Sequence, residues 1–256
     1  MKNYIFGILF FWVFTAAHAE PVMQFGVFPH LSPHQLLARY QPLADALSDN
    51  LSRSILLKTS RDFQMFQQKI ISEQYDFALL QPLFYPDAHE LYGYEPIVQL
   101  AEPLSAIVLV HKSAQIHNFS DLDNLTVALP SPLAAVTKLF EREIKQNGVK
   151  MMVRSVYTKS HDRCYQAVLS RQVDACVSAD RSFKGIPIAV QQKFKEVARF
   201  GSIPHVILVV HKRVSESVRK NAAAFFLQDK IVPTVVGGVV KKANAAELDN
   251  LRVLLK

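Results

Sequence analysis

Several chemical signatures are missing from this 256-residue chain. It has no G-x-S-x-G elbow, no phosphate loop, no H-E-x-x-H and no dinucleotide-binding glycine fingerprint. Serine acyl transfer, nucleotide hydrolysis, zinc proteolysis and hydride transfer therefore lose their usual sequence support. Cysteine is scarce: Cys164 and Cys176 are the only two, and no neighbouring Cys or His completes a zinc-like spacing. A thiol nucleophile paired with His161 is disfavoured, because both would sit at one helix start with a second Cys nearby. Acidic residues are outnumbered, 22 against 29 Lys and Arg. Yet the positive residues are scattered and Lys241-Lys242 is no patch, so a nucleic-acid partner is not indicated. Beyond the N-terminal segment, no apolar run is long enough to span a bilayer.

What is present is ordinary globular composition, half hydrophobic and a fifth charged, with enough apolar surface for one or two domains. The opening "MKNYIFGILFFWVFTAAHA" has one Lys, an apolar run from Tyr4 to Phe14 and an Ala17-His18-Ala19 ending. That is the pattern of a cleavable secretory signal over residues 1–19, too short for a spanning helix of about 20 apolar residues. Removing it leaves 28 Lys and Arg against 22 Asp and Glu, a net +6 that suits weak attraction to anions. No Cys follows the cleavage point to carry a lipid anchor. Export favours a Cys164–Cys176 disulfide over two separate buried thiols.

Strand and helix patterns then alternate. "VMQFGVF", "SILLKTS" and "DFALLQP" read as strands, and "QLLARYQPLADALSDNL" and "RDFQMFQQKIISEQY" as amphipathic helices, the first kinked or broken at Pro42. "LTVALPSP", "MMVRSVYTK" and "VDACVSAD" are further strands. They alternate with helices over Leu133–Gln146, which Gly148 can end, and over "SHDRCYQAVLSRQ". A last helix, "SESVRKNAAAFFLQD", precedes a tail of loop or strand and a closing helix. This rhythm predicts a parallel α/β organisation. One strand occurs nearly twice, as "SAIVLVHKS" (105–113) and "HVILVVHKR" (205–213). A chain that leaves one α/β lobe, builds a second and returns needs two such extended crossings. The expected division is residues 20–104 plus 205–256 for the first lobe and 105–204 for the second.

An ordered set of segments carries a resemblance. "FGVFP", "YQPLADALS", "YDFALLQPLFYPDAHELYGYEPI", "DLDNLTVALPSP" and "SHDRCYQAVLSRQVDACVS" resemble the PhnD-like phosphate, phosphite and phosphonate binding proteins. These are type II periplasmic binding proteins of ABC importers. The likeness implies two α/β lobes, two crossover strands and a ligand cleft between the lobes. It implies a monomeric, non-enzymatic receptor without cofactor or bound metal. Its partners would be a small-molecule ligand and an inner-membrane ABC transporter permease or, alternatively, a membrane sensor.

Ligands of open α/β sheets sit beyond the carboxyl ends of strands, where free helix-start amides attract anions. The loops 28–33, 81–85, 130–135 and 159–162 and the strand end at Asp180 are the candidates. Tyr85 matches the family aromatic that closes over the organic part of a ligand, or is a core Tyr. Gln81 offers an amide hydrogen bond, or ties its turn. Phe28 is an apolar wall or core. Ser131 is a hydroxyl contact or an N-cap, and Ala134 contributes its backbone amide. His161 faces the ligand or the surface, and Asp180 pairs with a ligand ammonium or with solvent. The turn "PSPLAAV" departs from the hydroxyl-rich turn of phosphonate binders: only Ser131 remains, and Pro132 lacks an N–H. That departure points toward a more apolar ligand, or toward a sensory role.

Overall fold

A computed structural model describes residues 21–146 and 151–254. The signal-peptide reading of residues 1–19 and the helix stop at Gly148 lie outside the described residues.

The strands are β1 (Met23–Val27), β2 (Ile55–Lys58), β3 (Phe77–Leu80), β4 (Tyr94–Leu100), β5 (Leu104–His111), β6 (Thr126–Leu129), β7 (Arg154–Tyr157), β8 (Ala175–Ala179), β9 (Phe194–Ile203), β10 (Ile207–His211) and β11 (Val240–Lys242). They form two sheets. The first has the order β11-β4-β10-β3-β1-β2 and the second β7-β6-β8-β5-β9. The chain passes from the first sheet to the second through residues 101–103 and returns through 204–206. The repeated strands answer to each other here. β5 runs antiparallel between β8 and β9, and β10 runs antiparallel between β3 and β4. Both sheets are therefore mixed, not parallel as the strand–helix rhythm predicts. Pairs joined through helices, such as β1–β2 and β6–β7, are parallel, whereas a strand arriving directly from the other lobe enters antiparallel.

Helices cover the sheet faces. α1 (Pro33–Leu51) starts with Pro33 in its first turn and buries Leu36, Tyr40, Leu43, Ala44 and Leu47. Pro42 does not break it: Pro42 and Ala38, whose carbonyl loses its donor, lie on the exposed face where water can serve that carbonyl. α2 (Phe63–Ile71) is capped by Asp62, which accepts from Met65 N–H at 2.8 Å. In the second lobe, α4 (Ala135–Gln146) and α5 (His161–Leu169) follow β6 and β7, with α3 (Tyr85–Tyr92) in the first. Cys164 on α5 and Cys176 on β8 are joined by a disulfide, their Cα atoms 5.6 Å apart. Of the described helices, none is long and apolar enough to cross a membrane.

Candidate functional site in the cleft between the lobes

β1 and β3 end side by side in the first lobe and deliver two loops to one edge. β1 leads to Phe28 and His30. β3 ends at Gln81, whose extended backbone (φ −78°, ψ 156°) precedes the tight turn Pro82–Phe84. Opposite them stand the starts of α4 and α5. Neither start caps itself with a side chain in the usual way. Ser160, at the N-cap of α5, makes no side-chain cap bond, and the residues opening α4 are Ala134, Ala135 and Val136.

The caps come from across the cleft. Gln81 is 3 % exposed; its Oε1 accepts from the Ala135 N–H at 2.9 Å, and its Nε2 donates to the Leu133 carbonyl at 2.7 Å. The His161 N–H donates to the His30 carbonyl at 3.1 Å. Ala135 and His161 are the first residues of their helices, so each donor is one of the amides that has no partner within its own helix. The first lobe therefore supplies one acceptor to each of these helix starts, whose N–H groups are of the kind that can bind anions. A further link sits at the edge of the cleft: Arg181 pairs with Glu102 at 2.7 Å and donates to the Gly237 carbonyl.

Between these walls a cavity of about 30 Å³ remains, bordered among others by Phe28, Gln81, Ala134, His161, Ser182 and His205. At the ~10–15 Å³ that one water requires, that is room for about two waters and too little for a tetrahedral oxyanion. Three buried histidines meet here. His30 donates from Nδ1 to the Phe28 carbonyl at 3.0 Å, leaving Nε2 to accept from Tyr40 OH at 3.3 Å. His205 accepts the Val206 N–H on Nδ1 at 2.7 Å, which places its own proton on Nε2. That Nε2 is buried with no partner among the described residues. His161 Nδ1 lies 2.9 Å from Ser178 Oγ, which in turn is 2.6 Å from Tyr165 OH. Burial pushes His30 down to about 3 and His161 and His205 down to about 4. All three are neutral at pH 7 in this closed arrangement.

The residues expected from the sequence divide. Phe28, Gln81, Ala134 and His161 surround the cavity, with the Phe28 ring tilted against His30 at 4.6 Å between ring centres. Ser131 borders an adjoining groove of about 490 Å³ with Gln64, Tyr157 and Lys159; its hydroxyl accepts from the Leu133 N–H at 3.1 Å. Asp180 stands at the cleft flank, with one oxygen 3.3 Å from Arg199 and 3.8 Å from Lys184. Its other oxygen is buried without a partner among the described residues. Tyr85 is not among the residues around the cavity. It is buried in the first lobe, stacked on His89 at 5.5 Å, with Glu90, Glu95 and Asp249 as its charged neighbours. His30 lies within the candidate loop 28–33, whereas the sequence reading names neither Ser182 nor His205. The proline-flanked segments "PHLSPH" and "SIPH" were the available signal.

Residues 25–233 match the family described as periplasmic substrate-binding proteins of phosphonate ABC transporters. The chain belongs to this family. No curated protein shows significant similarity to its sequence. Among solved structures, it is similar to PhnD1 from Prochlorococcus marinus in complex with methylphosphonate: TM-score 0.81 and 16 % identity over 91 % of this chain and 96 % of that one. It is also similar to a binding protein component of an ABC phosphonate transporter from Pseudomonas aeruginosa, with TM-score 0.78 and 17 % identity over 91 % and 85 %. At such identities these likenesses speak for the two-lobed fold. Within this family of phosphonate-type receptors, the present chain combines that fold with helix starts served by Gln81 and the His30 carbonyl.

Proposed function

We propose that this chain is a monomeric periplasmic receptor that captures a small anion between its lobes and presents it to an inner-membrane ABC importer. The observation that carries this reading is the convergence of the α4 and α5 starts on one inter-lobe cavity with the Nε2–H of His205. Backbone N–H groups at helix starts bind anions without needing a charged side chain, and a neutral imidazole N–H adds a further donor. Phe28 supplies an apolar wall for an organic substituent. No proton-transfer or bond-breaking role is assigned to these groups: the reading is one of binding, followed by hinge motion about residues 101–103 and 204–206. Those crossings support domain boundaries near 104/105 and 204/205.

A second reading is favoured by the small residual cavity. An importer that recognises closed lobes gains little from a receptor that closes by itself, whereas a membrane sensor can use ligand-driven opening as its signal. Thermal unfolding of residues 20–256 against phosphonates, phosphite, phosphate, sulfonates and carboxylates tests both. A ligand at 100 times its dissociation constant stabilises by about 2.7 kcal/mol. At this size that raises the midpoint by roughly 5 °C. A shift with any one anion class supports the receptor; no shift across the panel removes it.

A further inference from the structure

We propose that Gln81 is a resident occupant of the ligand position, a side chain that ties the empty cleft shut and that a ligand must displace. The inference rests on the receptor reading above. Three observations carry it. First, the Gln81 carboxamide makes both a donor and an acceptor bond to the opening of α4, at 2.7 and 2.9 Å, from the opposite lobe. It is the only side chain described as accepting from the Ala135 N–H, the amide an anion would use. Second, the same pattern recurs at α5, where the His30 carbonyl takes the His161 N–H. Third, the cavity beside Gln81 is bordered by His205, whose Nε2–H is buried and unpartnered among the described residues, and it is too small for a tetrahedral oxyanion while Gln81 is in place.

The chemistry of the displacing ligand follows from the bonds Gln81 makes. Whatever replaces the carboxamide must accept from Ala135 N–H and donate to the Leu133 carbonyl. An acceptor alone leaves a buried carbonyl facing a lone pair, which costs about 1–3 kcal/mol. A monoprotonated phosphonate or phosphite has both a P–O⁻ acceptor and a P–OH donor. A sulfonate is fully ionised near neutral pH and has only acceptors. The cleft therefore selects a proton-bearing oxyacid, or a primary amide, over a sulfonate. Gln81 also makes lobe closure independent of ligand, because its two bonds tie the lobes together in the empty protein.

The experiment compares wild type, Gln81→Ala and Gln81→Asn, all as residues 20–256. Circular dichroism and thermal unfolding establish that each variant folds. Gln81→Asn keeps the carboxamide but is one methylene too short to span the cleft. Small-angle scattering reads the lobe arrangement without ligand, and calorimetric titration reads binding of methylphosphonate and methanesulfonate. The expected result is a compact ligand-free wild type and an expanded radius of gyration in both variants. In Gln81→Ala, methylphosphonate should bind about tenfold more tightly than in wild type and restore the compact form. Methanesulfonate should remain about tenfold weaker, a ratio equivalent to about 1.4 kcal/mol. Ligand-free variants as compact as wild type, or weaker methylphosphonate binding in Gln81→Ala, would overturn the proposal. If the variants open but no protein binds either anion, the tie made by Gln81 stands and the receptor reading falls. Tight methylphosphonate binding by wild type that Gln81→Ala abolishes keeps the receptor and sinks the resident occupant.

Discussion

Lowering the pH from 7 to 5 is expected to cost the protein about 5 kcal/mol of stability, chiefly at the lobe interface. His30, His161 and His205 are all buried there, with their titration pushed down to about 3, 4 and 4 by loss of solvent. Neighbouring charges modify this: Arg39 and His161 disfavour a proton on His30 and Asp162 favours one; Asp180 favours and Arg181 disfavours one on His205. In the unfolded chain each histidine titrates near 6.5. Its folded value is depressed, so the unfolded state binds more protons below about pH 6.5 and stability falls with pH. The contribution is complete above that value and is lost progressively down to pH 3–4. Between pH 7 and 5 each histidine accounts for about 1.8 kcal/mol. Urea unfolding at the two pH values measures the loss, and His161→Gln should remove about a third of it. Equal unfolding midpoints at pH 7 and pH 5 would show that these imidazoles are not buried together.

Removing the disulfide is the second large effect. The bond closes a sequence separation of 12 residues and ties α5 to the central strand β8, with both cysteines fully buried. Closing a loop of that size removes unfolded-state entropy worth about 3 kcal/mol. Cys164→Ala/Cys176→Ala should lose about that amount in urea unfolding, and the wild type should lose it only when reductant is present during unfolding. Burial shields the bond from reductant in the folded state. Two free thiols in unfolded, non-reduced protein would contradict the pairing.

Much of this architecture can be read from the amino-acid pattern, because buried strands and amphipathic helices announce themselves by period. The echo of β5 in β10 is an example: each is an apolar antiparallel strand that its lobe receives straight from the other. Two strands leave a weaker trace. β9 is an edge strand, so Lys195, Glu196 and Arg199 interrupt its apolar run. β4 contains Pro96, which speaks against a strand until its place is seen. Pro96 lies where the register with β10 shifts, and β11 covers only Val98–Leu100 on the other side, so no ladder needs its missing N–H. The candidate site was legible as loops more than as side chains. The family likeness and the strand-end rule name Phe28, Gln81, Ala134 and His161, and these four border one cavity. Helix phase turned Tyr85 into the first lobe instead, a direction that spacing alone does not reveal. His30 and His205 are far apart in sequence, and the first-sheet order β10-β3-β1 sets the end of β1 and the start of β10 at one edge.

The most direct measurement is native-state hydrogen exchange at the Ala135 and His161 amides in the ligand-free protein. Both are helix-start donors, which exchange quickly when they face solvent. If Gln81 and the His30 carbonyl hold them across a closed cleft, both should be protected without any ligand, and Gln81→Ala should release the Ala135 amide. Exchange of both amides at solvent-exposed rates in the wild type would mean that the empty cleft stands open and that its helix starts are vacant for an anion.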